Sequence, residues 1–394
     1  MASAESPVGH VHSHAAHLDL APKDRRRVQV ILAAIVVPLA IATIVGLVLL
    51  WPRGATPVGS LPLNHSGVSM VVGEITSVSA VDDLGQHKVT MKVDGVEVPL
   101  HVPFEIIGNG LDVGDTVKAM FNPGSVDAGA PYIFVDFVRG IPLSALLIVY
   151  VVVVIAVARW KGFAALLGLG ASLAVVGAFM LPALMVGHSP LAVVIVGASA
   201  MMFASIYFAH GVSIRTTTAV LGTLGGLVIT GVLAVWAVSA NNLTGTLSED
   251  AISLAGHLNY LKMSDILLCG IILAGLGALN DVTITQVSTV WELHSANIAA
   301  SRIRVFQQAM VIGRDHIAST VYTLAFAYVG TSLPLLMSAA LVNRGFLDLL
   351  AVGQIAEEIV RTLVASIGLV LAIPMTTAIA TLLAPVAPAR KVIE

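Results

Sequence analysis

The sequence predicts a polytopic α-helical membrane protein of about eight transmembrane helices, with a small extracytoplasmic all-β domain between the first and second. Three observations carry that reading. The 394 residues are 57% apolar and only 11% charged, where an ordinary soluble domain has about 25% charged, and the mean hydropathy is +0.93. Eight apolar runs are each long enough to cross a bilayer at roughly 20 residues per span. Between the first two runs, residues 58–138 change character, with short alternating segments separated by turn residues.

The same composition limits function. A formal net charge of -3 supplies no field for phosphate, so no nucleic-acid partner is expected. The single cysteine, Cys269, cannot close an internal disulfide, and neither a zinc spacing nor a thiol with its base surrounds it. The sequence has no phosphate-binding P-loop, nucleophile elbow or His-Glu-x-x-His helix. The chain is therefore expected not to be an enzyme and to use no cofactor.

From the amino end, residues 1–27 read as a disordered cytoplasmic tail containing His10, His12, His14 and His17. Four imidazoles can gather zinc, copper or nickel, but without fixed geometry they make a weak metal buffer rather than a built site. Residues 28–51 follow Lys23, Asp24, Arg25, Arg26 and Arg27, and exceed a signal-peptide core in length, which predicts an uncleaved first helix.

Residues 58–138 carry ten acids against Lys88, Lys92 and Lys118. The alternation in Lys88-Val89-Thr90-Met91-Lys92-Val93, with Asp94-Gly95 before Val96, predicts a hairpin with a primed turn. Asp112 to Thr116 reads as a turn into a further strand. Five extended runs fit a small closed barrel of the oligonucleotide/oligosaccharide-binding (OB) type. The acidic balance argues for a lid or docking module rather than a nucleic-acid face.

The remaining apolar runs, 141–158, 163–186, 191–209, 217–238, 264–284, 317–341 and 363–383, predict a seven-helix bundle over 141–384 and a cytoplasmic tail at 385–394. With the amino terminus inside, twelve of the 20 Lys and Arg fall on the cytoplasmic side and eight outside, four of those in or bordering the β domain. Positive charge favours the cytoplasmic face, so both termini are placed inside and the plasma membrane is the expected location.

The polar chemistry concentrates late. The second to fifth spans contain no acid, whereas the last three are entered or bordered by Asn280, Asp281, Thr285, Arg314, Asp315, Glu357, Glu358 and Arg361. Ionisable groups at membrane depth face protein interior or an aqueous path. Together with Thr320 and Thr323, part of a stripe with His316 and Thr331, these residues form the candidate polar path. Asp281 is expected to pair with Arg314, and Asp315 to serve either as a helix cap or in an ion site. Glu357 and Arg361 are spaced to pair on one helix face. Pro334 and Pro374 predict kinks that free backbone groups for a bound solute.

Residues 287–312 are too polar to cross, yet have apolar spacing at Val287, Val290, Trp291, Ile298, Ile303, Phe306 and Met310. They read as one or two cytoplasmic surface helices, packed on the membrane or docking a partner protein.

The stretches GALNDVTITQVSTVWEL at 277–293, GRDHIASTVYTLAFAYVGTSLPLL at 313–336 and EEIVRTLVASIGLVLAIPMTTAIA at 357–380 resemble the YibE/F family of bacterial multi-pass membrane proteins, the actinobacterial members in particular. The layout of one helix, a β domain and a helical bundle is also similar. This chain has Tyr322 where the family motif has Asn, so no amide role carries over there. The resemblance implies a bacterial envelope protein of a family without an established activity, described as transporters or permeases. The expected function is transport of an unidentified small polar or lipid substrate through the last three spans. The alternatives are a non-catalytic envelope scaffold that recruits partners and, third, a membrane enzyme acting on a lipid-linked substrate.

Overall fold

The computed structural model describes residues 22–54, 56–60, 68–79, 88–126, 131–343 and 345–384. The tail histidines His10, His12, His14 and His17, and the segment 385–394, lie outside the described residues. In chain order, helix α1 (Pro22–Leu49) is followed by β1 (Ser69–Val78), β2 (Val89–Val93), β3 (Val96–Leu100), α2 (Phe104–Gly108), β4 (Thr116–Phe121) and β5 (Tyr132–Phe137). Among the described residues no further strand follows: α3 (Gly140–Ala174), a π turn (Val175–Met180) and α4 (Leu181–Met185) begin the helical part. Two compact units result, one made of Met1–Thr56 with Lys161–Glu394, the other of Pro57–Trp160.

In the second unit the strands are antiparallel in the order β3-β2-β1-β4-β5. Asp94 and Gly95 take φ of 50° and 87°, the left-handed values that a two-residue primed turn demands, and Val93 pairs with Val96 as the hairpin expectation requires. Gly114, at φ 99°, lets the Asp112–Asp115 turn close, with the Asp115 carboxylate accepting the Asp112 N–H at 2.9 Å, and delivers Thr116 into β4. Ile75, Met91, Val117 and Ala119 are fully buried at the centre.

The sheet is open rather than a closed barrel. His101 and Ile133 form a parallel bridge between the end of β3 and β5, with His101 N–H donating to Tyr132 O at 2.8 Å. The pairing stops there because Pro103 turns the chain into α2.

The apolar run Gly140–Met185 is 46 residues long and breaks from helical backbone at Arg159 (φ 52°, ψ -133°), between the two spans expected from sequence. Its most apolar window has no buried residue, and Ile141 and Val157 are 83% and 80% exposed. Apolar surface on that scale is lipid-facing surface, since water-facing proteins do not sustain it.

In the first unit, α5 (Pro190–His210), α6 (Ile214–Ala240), α7 (Glu249–His257), α8 (Met263–Ala274), α9 (Leu276–Ala296), α10 (Arg302–Thr331), α11 (Leu333–Ala340), α12 (Phe346–Leu350) and α13 (Gly353–Leu383) follow. Ser213 opens α6 through a capping box with Thr216, and Ser301 opens α10 by accepting the Arg304 N–H. Six helical runs among the described residues are long and apolar enough to cross a membrane, or seven if the bent pair α10 and α11 is one span. The predicted eight differs because the sequence counts Gly140–Met185 as two.

The residues expected to form separate surface helices at 287–312 are instead the end of α9 and the start of α10. Their apolar spacing is largely interhelical packing: Val287, Val290 and Trp291 bury against Val305, Ala309 and Ala380, although Ile298 and Ile303 stay exposed.

The centre of this unit is α13 laid along α6, α9 and α10. Small residues permit the approach. A Cβ added to Gly222 would lie 2.3 Å from Thr376 Oγ1, and one on Gly368 would lie 2.1 Å from Thr230 Oγ1. Cys269 is buried in α8 and its thiol donates to Pro190 O, at the start of α5, at 3.3 Å.

Candidate functional site

The late polar residues separate into three groups rather than one path. The first group ties helices together. Asn280 Nδ2 donates to Ser205 Oγ at 2.8 Å, the Thr283 and Thr223 hydroxyls are 2.6 Å apart, and Gln286 Nε2 donates to Ala309 O at 3.0 Å and Thr377 Oγ1 at 2.8 Å. Thr223, Thr283 and Thr377 have no exposed surface, so the links from α9 to α6, α10 and α13 are dry, while the link to α5 joins two half-buried side chains. Thr285, one step from Gln286, is half-buried.

The second group faces outward. Asp281, Arg314 and Asp315 are exposed, and Asp281 does not pair with Arg314; the ion pairs among the described residues are Arg139–Asp136, Arg215–Glu292 and Arg361–Glu358. The packed stripe of α9 runs through Leu279, Val282, Thr283 and Gln286, which leaves Asp281 on the far face with Gly277. Asp315 caps nothing, because α10 starts at Arg302. Thr320, Thr323 and Thr331 return their hydroxyls to their own helix, at His316 O, Ser319 O and Ala327 O. Tyr322 points outward and stacks on Phe326, with ring centroids 6.2 Å apart.

The third group lines a cavity. Glu358 is ion-paired with Arg361 one turn away, while Glu357, expected to take that arginine, accepts the Gly245 N–H at 3.0 Å. Pro374 does not interrupt α13, which runs through it to Leu383 with Ile373, Thr376 and Thr377 buried on both sides. Pro334 does mark a break: it is the second residue of α11, and α10 and α11 meet at 65°.

That bend and the first turns of α13 enclose about 190 Å³. Tyr328, Ser332, Glu358 and Thr362 contribute polar groups to walls otherwise made of side chains such as Leu336 and Leu363. The two walls differ in support. The start of α13 is anchored to the α6–α7 connection by the Glu357–Gly245 bond and by Gln354 Nε2 donating to Leu247 O. The opposite wall is held by apolar packing alone: the buried residues of α10 are Val305, Ala309 and Gly313, all in its first half, its second half rests only half-buried Ile317 and Leu324 on the α9–α13 core, and α11 buries none. A second, more polar hollow of about 610 Å³ lies where α6 ends and α8 begins, beside Ser239, Asn242, Thr244 and Asp265. Among the described residues, no three His, Cys, Asp or Glu side chains converge as a metal requires.

Residues 146–386, more than half the chain, match the family described as YibE/F-like protein. The chain belongs to the YibE/F-like family. No curated protein and no solved structure matches it. The family match spans the whole of α4 to α13, so both the bent helix and the anchored start of α13 lie inside it, whereas the β strands precede it. With six long apolar helical runs, this YibE/F-like protein is an integral membrane protein.

Tyr328 is readable from sequence as a hydroxyl of this span and Ser332 as part of the break before Pro334; their spacing of four puts both on one face there. A contributor not singled out from sequence is Thr223. Thr223 belongs to a set, Thr216, Thr223 and Thr230, recurring every seven residues along α6 and wholly buried or nearly so. That recurrence was the available signal for α6 as the bundle's central partner.

Proposed function

We propose that this protein is a permease whose solute occupies the cavity between the α10–α11 bend and α13. One observation carries the proposal: a broken helix with no buried residue beyond its first half faces a tethered helix bearing the Glu358–Arg361 pair. Discontinuous helices beside an ionic group are the usual construction of solute sites in membrane transporters. An apolar cavity with one ionic edge suits a small amphiphile, whose tail meets Leu336 and Leu363 and whose head meets Glu358, itself paired with Arg361 behind the wall. Asn280 and Gln286 support the frame, while Pro334 supplies the hinge.

The test uses the full chain in proteoliposomes with a dansyl-labelled fatty amine and a dansyl-labelled fatty acid as probes. Leu336→Trp fills the cavity and is expected to weaken probe binding and slow probe flux about tenfold or more. Wild-type binding and flux in that variant would reject the cavity as the route.

We further place the chain in the bacterial plasma membrane with eight spans and both termini cytoplasmic. The distribution of Lys and Arg supports this, as does the non-helical Arg159 inside a 46-residue apolar run. At 1.5 Å per residue such a run is about 69 Å long, roughly twice the hydrocarbon thickness. The OB-like reading of the extracytoplasmic sheet is supported by its strand order, by α2 between β3 and β4, and by the His101–Ile133 bridge.

A scaffold role is favoured by a separate observation, the outward display of Asp281, Arg314 and Asp315. Affinity capture with the full chain and with residues 58–138 deleted distinguishes it: a specific partner retained by either form, with no probe flux, would replace the permease reading.

A further inference from the structure

We infer that the groove between α1 and the α5–α6 turn is a built site for one anionic phospholipid, independent of the cavity at the α10–α11 bend. The groove has a volume of about 310 Å³, at the lower end of the range for small-molecule sites. Its α1 wall is Gln29, Leu32, Ala33, Val36 and Val37. These positions follow the i, i+3, i+4, i+7, i+8 spacing of one helix face.

Extending that face one turn toward the amino end, about 5.4 Å, reaches residues three and four before Gln29. They are Arg26 and Arg25, both exposed. Arg27, also exposed, lies off the stripe. The face thus presents two guanidiniums, then an amide, then an apolar trough, the order in which a phospholipid presents phosphate, glycerol ester and acyl chain.

The opposite wall mixes polar and apolar groups. Tyr207, Ser213 and Thr217 give it hydroxyls and Val212 and Ile214 give it apolar surface. The Tyr207 hydroxyl reaches Thr217 Oγ1 at 3.3 Å, and Ser213 is engaged in capping α6. No acid lines the groove. Leu32 and Val36 are 2% and 5% exposed, whereas Ala33 and Val37 on the same face are exposed, so the helix is seated along one edge of the groove and open along the other. An acyl chain fills such an open edge, and the paired arginines select a negative headgroup. Simple surface attraction would use all three arginines alike.

The experiment is native mass spectrometry of the delipidated full chain in detergent, titrated with dioleoyl phosphatidylglycerol or dioleoyl phosphatidylcholine. The wild type is expected to retain one phosphatidylglycerol in preference to phosphatidylcholine. Arg25→Gln with Arg26→Gln should weaken phosphatidylglycerol retention about tenfold or more, and Arg27→Gln should change it less than about twofold. Ala33→Trp, at an exposed position that packing does not constrain, should reduce retention of either lipid by blocking the trough. Equal retention of the two lipids by the wild type, equal loss in all arginine variants, or unchanged retention in Ala33→Trp would each overturn the inference.

Discussion

The two halves of α10 differ both in their polar residues, Arg, Gln, Asp and His in the first and Ser, Thr and Tyr in the second, and in how they are held. In the first half, Ala309 O accepts the Gln286 amide and Gly313 is pressed against Ile373. In the second half, Thr320, Thr323 and Thr331 satisfy their hydroxyls on their own backbone, and Tyr322 and Phe326 face outward. A hydroxyl in a membrane helix therefore reports nothing until its partner is known. Bonded across helices it is glue; bonded to its own turn it is neutral ornament on a lipid-facing surface.

The sharpest way to break this contrast is on the packed side. Gly368→Val pushes a branched side chain into Thr230, where even a Cβ would lie 2.1 Å from Oγ1. It is expected to cost about 3 kcal/mol or more, seen as a lowered melting temperature or loss of a monodisperse peak in detergent. Gln286→Leu removes the amide that binds Ala309 O and Thr377 and should cost about 1–2 kcal/mol in the same assay.

A weaker effect is expected in the sheet unit, where charge is the variable. The Asp136 carboxyl is held below its ordinary value, first by the Phe137 N–H and then by Arg139. A depressed carboxyl stabilises above the ordinary aspartate range, and the gain is lost as pH falls through the folded value. Asp136→Asn should thus slightly flatten the acid limb of the sheet's unfolding curve, the effect being small because the group is solvent-exposed. Least of all, Thr323→Val and Asp315→Asn on the free face should leave the melting temperature within about 0.5 kcal/mol equivalent of wild type. A large loss from Thr323→Val would mean that the second half of α10 is anchored after all, and one from Asp315→Asn that the outer face of the first half is held as well.

Much of the architecture was legible because it rests on local rules. The long apolar runs and the Asp94-Gly95 hairpin need no knowledge of the partner segment, and Pro334 announces its break from sequence alone. The pairings were not legible, since they depend on which face of each helix turns inward. Arg361 has two acids within reach along α13, and the Gly245 N–H, far away in sequence, removes Glu357 from the choice. Pro374 reads as a hinge by itself, yet close packing against α6 and α9 carries the helix through it. The polar spacing at 287–312 similarly hid two helix ends, because their charged faces disguised a buried seam.

Cys269, noted above as a bond between α8 and α5, is the sole cysteine of the chain and is shut away from solvent. A maleimide dye should accordingly leave the intact wild type dark. One cysteine placed at an exposed position such as Met337 would then carry the whole signal, so movement of the bent arm becomes a spectroscopic quantity in an otherwise unaltered chain.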